Sequence, residues 1–119
     1  FMIQEILIPS EVNEFNITGK SNEPLNNACD AFGFVYRDDC GNFEDIDISN
    51  YEFTFTISLS GCTVLTGGTN TAELVKGVGL DSNKLWFNID NLDLRSSIYQ
   101  YNIKIVDSNS VIKGTLNVK

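Results

Sequence analysis

The chain has 119 residues, with 16 acidic against 8 basic side chains, three cysteines and no histidine. That length makes one domain with room for a real core, and 42% hydrophobic with 20% charged residues excludes global disorder. A net charge of −8 speaks against nucleic acid or an anionic membrane as partner, and the missing histidine removes Ser/His and Cys/His nucleophile pairs and every histidine metal site.

Met2 is the only methionine and reads as the native start, with Phe1 standing before it. Ile6-Leu7-Ile8 stops at Pro9, too short for an export signal, so the expectation is a protein made in a cytoplasm and not secreted by the usual route. Disulfides are then not expected, and Cys29, Cys40 and Cys62 read as reduced, partly buried small residues. Ile3, Ile6 and Ile8 are candidates for protein contact. Their segment is either an arm that pairs with a neighbouring molecule or the first strand of the chain's own sheet. Residues 9–28 hold five asparagines and two prolines and read as a long loop or irregular arm.

From there, period-two alternation dominates. Phe32, Phe34 and Tyr36 share one face of a strand that ends in the turn Asp38-Asp39-Cys40-Gly41-Asn42. Tyr51 through Leu59 is aromatic or aliphatic at every odd position and polar at every even one, so it buries one face and wets the other. Gly67-Gly68 reads as a turn in a meander through Val64-Leu65 and Glu73-Leu74-Val75. Leu85, Phe87 and Ile89 alternate, with Trp86 on the polar side; 91–97 reads as one short turn. Tyr99, Tyr101 and Ile103 repeat the pattern, a hairpin at 107–110 follows, and Leu116 and Val118 line the last strand. Strands with turns every 8–12 residues predict an all-β fold, an antiparallel sandwich of seven to eight strands with Phe53, Phe55, Ile57, Phe87, Tyr101 and Ile103 in one core.

Little in this pattern carries chemistry. Residues 1–60 hold eleven acids and two bases, whereas 61–119 hold five and six, so the charge is concentrated in the first half. The acidic face either aids solubility or selects a basic partner surface. Asp38, Asp39, Asn42, Glu44, Asp45 and Asp47 form an oxygen-rich cluster, but its spacing does not fit a calcium loop and solvated turn carboxylates are expected. Paired carboxylates could serve a glycosidase, yet any acidic sandwich offers such pairs by chance. No catalytic residue, metal ligand or cofactor is assigned. Trp86 is either covered by residues 9–28 or by Lys84, or is an exposed aromatic for a protein or sugar contact.

The order of motifs resembles the Ig-like domain of bacteriophage baseplate upper and tail proteins. Phe34-Val35-Tyr36-Arg37-Asp38-Asp39-Cys40-Gly41-Asn42 matches a strand running into an Asp-Gly turn. Asp45-Ile46-Asp47-Ile48-Ser49-Asn50-Tyr51 then leads into the alternating strand. Ile98-Tyr99-Gln100-Tyr101-Asn102-Ile103 is similar to a Gly-x-Tyr-x-Tyr-x-Ile strand, and Gly114-Thr115-Leu116-Asn117-Val118 to a final Gly-x-Leu-x-Val strand. The resemblance covers about residues 30–119. It implies a non-enzymatic virion structural protein, such as a baseplate or tail adaptor or a capsid decoration protein. Such a protein is made in the bacterial host and docks in a symmetric assembly onto itself or other virion proteins, without nucleic acid or membrane. The alternatives are a bacterial surface or carbohydrate-binding Ig-like module and a carboxylate enzyme.

Overall fold

In the computed structural model, residues 4–7, 13–106, 108 and 110–119 are described, with side chains from residue 13 onward. Twelve strands appear among them: β1 (Gln4–Leu7), β2 (Asn13–Glu14), β3 (Ile17–Gly19), β4 (Leu25–Asn26), β5 (Phe32–Arg37), β6 (Phe43–Asp45), β7 (Phe53–Leu59), β8 (Cys62–Gly68), β9 (Leu74–Lys76), β10 (Lys84–Ile89), β11 (Ser97–Ile105) and β12 (Ser110–Val118). The only helical pieces among the described residues are three single 3₁₀ turns. The fold is all-β, in two six-stranded, mostly antiparallel sheets.

In the first sheet β5 lies between β1 and β10, with β9 beyond β10; in the second the order is β2/β3, β12, β11, β7, β8. Connections that cross between the sheets bring parallel pairs to one side, because only hairpins force neighbours to be antiparallel. β1 runs parallel to β5, and β2 and β3 run parallel to β12. The β7–β8 hairpin turns on Ser60 and Gly61, both at positive φ (52° and 84°), the backbone of a two-residue turn that matches strand twist.

Three strand interruptions are patched by asparagine side chains. β4 and β5 lie along one edge of β10, but their register shifts by three residues, the length of the turn Ala28–Asp30 between them. In that gap Asn27 Oδ1 accepts the N–H of Phe87 at 2.7 Å, while its Nδ2 is buried without a partner. Farther along the same edge, at the start of β10, β5 passes from β10 to β6, and Asn83, the one buried polar residue among those described, sits at the junction and donates to Asp45 Oδ1 at 3.3 Å. In the second sheet β2 and β3 keep one register along β12 yet break at Phe15, where Asn16 Oδ1 accepts the N–H of Thr115 at 3.2 Å. A buried N–H without an acceptor costs about 1–3 kcal/mol, so Asn27 stabilises its kink by accepting the Phe87 N–H. Asn16 does the same at the surface, and Asn83 instead bridges its junction as a donor.

The core lies between the layers, and Phe53, Phe55, Ile57, Phe87, Tyr101 and Ile103 are buried in it together. Phe87 is its hub, meeting Phe32, Phe55 and Tyr101 edge-on at centroid distances of 6.2, 5.2 and 5.6 Å. Edge-to-face aromatic pairs of this kind add about 0.5–1.5 kcal/mol each beyond area burial.

Several sequence expectations are corrected. Twelve strands replace seven or eight, because residues 13–28 contribute β2, β3 and β4 and the acidic stretch contributes β6, each too short and too polar to show alternation. Of the two readings of the first segment, arm or own strand, Gln4–Leu7 takes the second and pairs with β5. Gly67-Gly68 is no turn but the end of β8, where a Cβ on Gly67 would stand 2.7 Å from the Phe55 ring. Residues 91–97 make no helical turn; Leu92 is instead driven into the core and its backbone pairs with Asn22 and Glu23. The three cysteines are all exposed rather than partly buried, and none is bonded to another.

Candidate functional site

The loops that join the sheets at one end gather what the core does not use. β5, β9 and β11 leave the sandwich at this end, and β6, β7 and β10 enter it. Backbone N–H groups tie the loops together, Ile48 donating to Ser82 O and Val106 to Glu52 O, each at 2.9 Å. Lys76 Nζ closes the bundle by donating to the carbonyls of Ser49 and Tyr51 at 2.9 and 2.8 Å.

This end is apolar at its tip and acidic around it. Of the nine large hydrophobic residues exposed among those described, six stand here: Tyr36, Phe43, Tyr51, Val78, Leu80 and Val106. Leu80 is 99% exposed and Val78 83%, on the loop between β9 and β10. Gly77 at the base of that loop cannot carry a side chain, since a Cβ would lie 2.2 Å from the Asp81 carbonyl. Asp38, Asp39, Glu44, Asp45, Asp47, Glu52 and Asp81 lie on the loops and strand ends of this end. The bases of the region are spent internally: Arg37 lies 4.8 Å over the Phe43 ring, Lys76 pairs with Glu52 at 3.6 Å and Lys84 with Asp81 at 2.8 Å. Seven acids against three bases leave a net charge of −4 on this end.

The carboxylates here are built into turns rather than aimed at a common point. Asp38 Oδ1 accepts the N–H groups of Cys40 and Asn42, both at 2.9 Å, and holds the β5–β6 turn. Asp47 Oδ1 accepts the hydroxyl and the N–H of Ser49, and these bonds hold its carboxyl below the usual range, with Lys76 adding a smaller pull. Glu52 is lowered likewise, first by the Thr69 hydroxyl and then by Lys76. Among the described residues, no three cysteine or carboxylate groups converge as a metal site would require. What the arrangement can do is bury the Leu80 tip against a partner and meet that partner's positive charges with its own negative ones.

The residues singled out from sequence lie elsewhere. Trp86 is half-buried on the outer face of β10, directly across from Val75 of β9 and with Lys84 and Asn88 on the same face. Of residues 13–28, Asn26 of β4 pairs with Asn88 on the same strand as Trp86. Ile3 and Ile8 lie outside the described residues, and of Ile6 only the backbone, paired with Phe34, is described. Val78 and Leu80 were missed by alternation, which finds strands. Their signal was two large apolar residues set between glycines in Gly77-Val78-Gly79-Leu80, where no strand could bury them.

Comparison with family models, with curated proteins and with solved structures finds no match to this chain. No helix among the described residues is long and apolar enough to cross a membrane.

Proposed function

We propose that the protein is a non-enzymatic structural module that docks through its acidic, apolar-tipped loop end into a larger protein assembly. The observation that carries this is Leu80, an almost fully exposed leucine at the tip of a loop fixed by backbone hydrogen bonds. Contiguous exposed apolar surface rimmed by polar groups marks an interaction site. The −4 charge around it favours a partner whose contact surface is basic, and opposite charges across an interface raise the rate and selectivity of docking.

The motif order in residues 30–119 supports a sharper form of this reading: an Ig-like domain acting as a phage baseplate or tail adaptor or a capsid decoration protein, present in the virion beside other virion proteins or further copies of itself. The test is sedimentation of particles from a lysed producing host that carries a tagged copy. Co-sedimentation at a fixed copy number per particle supports the reading. A tagged protein that is folded, abundant and wholly free of particles overturns it.

A further inference from the structure

The outer face of β7, β11 and β12 runs from the β7–β8 turn at Gly61 up to Lys104 beside the loop end, and it is concave, with a volume of about 590 Å³. Its side chains stand in cross-strand rows fixed by the register. Thr56, Asn102, Lys113 and Glu14 form one row across four strands, and Ser58, Gln100 and Thr115 form the next. Lys104 lies two residues along from Asn102, past a register shift between Ile103 and Lys104, and lines the same groove as Lys113. Among the described residues neither lysine makes an ion pair, unlike Lys76 and Lys84 at the loop end.

We infer that this groove binds a linear acidic polysaccharide, with sugar carboxylates on Lys104 and Lys113 and sugar hydroxyls on the threonine, serine and amide rows. Every exposed side chain lining it is a hydroxyl, an amide or a charge. A surface that docks protein carries an apolar centre of aromatic and aliphatic residues, and this one has none. Neighbours within a row stand about 4.8 Å apart and successive rows about 7 Å apart, a repeating array of donors and acceptors that suits a repeating polyhydroxyl chain. Lys104 and Lys113 against Glu14 leave the groove net positive, and this sets the preference for an anionic sugar over a neutral one. The site does not rest on the docking role of the loop end.

Titration of ¹⁵N-labelled protein with tetragalacturonate, followed by amide shifts, tests this directly. The expected result is a set of shifts confined to β7, β11, β12 and β2. Binding should be weakened roughly tenfold by Lys104→Ala with Lys113→Ala and by the neutral maltotetraose, the loss of one or two charge-assisted contacts. Leu80→Asp should bind the sugar as the unaltered chain does, which separates this site from the loop end. No shifts, shifts on other strands, indifference to both lysines, or binding of tetraglutamate as tight as that of the sugar would each overturn the inference, the last in favour of an acidic peptide.

Discussion

The hydroxyl of Tyr101 donates to the carbonyl oxygen of Phe15 at 2.6 Å, across 86 residues of sequence. A regular parallel ladder would offer that carbonyl to the N–H of Thr115. Here it is turned toward the core, and the Asn16 side chain takes its place on β12. The turned carbonyl passes beneath Gly114, where a Cβ would stand 1.7 Å from it. One tyrosine, one asparagine and one glycine thus fix how the N-terminal strands meet the second sheet.

Tyr101→Phe should therefore destabilise the protein by about 1–3 kcal/mol, the cost of leaving a buried acceptor without a donor. Urea denaturation measures it. A loss under about 0.5 kcal/mol would show that the Phe15 carbonyl finds another donor.

The same residue sets an alkaline limit. Burial pushes the Tyr101 phenol above its ordinary value of 10. Between the unfolded and folded values the native state keeps a proton that the unfolded chain has lost, so this stability is whole below pH 10 and falls as pH rises above it. The slope contributed by Tyr101 approaches about 1.4 kcal/mol per pH unit. Comparing urea midpoints at about pH 9 and about pH 11 should show a smaller drop in Tyr101→Phe than in the unaltered chain; equal drops would contradict the assignment.

Gly114→Ala should cost more than Tyr101→Phe, because the added methyl meets backbone rather than a side chain that can swing away. Overpacking commonly costs about 1–3 kcal/mol, and a backbone collision of this kind belongs at or above the top of that range. Amide exchange should rise first in β2 and β3. A variant as stable as the parent would mean that Phe15 does not lie over Gly114.

Phe55→Ala removes one face of the Phe87 hub and should cost about 3–5 kcal/mol, as large core aromatics do. A thermal melt that shifts by less than the equivalent of about 1 kcal/mol would place Phe55 outside the core.

The long alternating strands were legible because burial on one face forces period two, and Phe53 through Ile57 and Tyr99 through Ile103 obey it without exception. Residues 13–28 were not, since β2, β3 and β4 have two or three residues each and alternation needs more. Their pairing is decided by distant partners, 62 positions away for Asn26 with Asn88 and 99 for Asn16 with Thr115. Gly67-Gly68 misled for a similar reason: glycine is at home in turns, but it also stands where another side chain, here Phe55, needs its space. Of the candidate surface, the acidic cluster could be read from residues 38–47, while its union with Val78 and Leu80 needed the loops folded together.

Leu80 gives the most direct measurement. Leu80→Asp adds a charge to a side chain that touches nothing in the core, so its melting should stay within about 0.5 kcal/mol of the parent. Docking predicts that the tagged variant, expressed beside untagged parent in the producing host, is lost from purified particles while remaining folded and soluble. Leu80→Asp recovered in particles at the same copy number as the parent would contradict docking through the loop end.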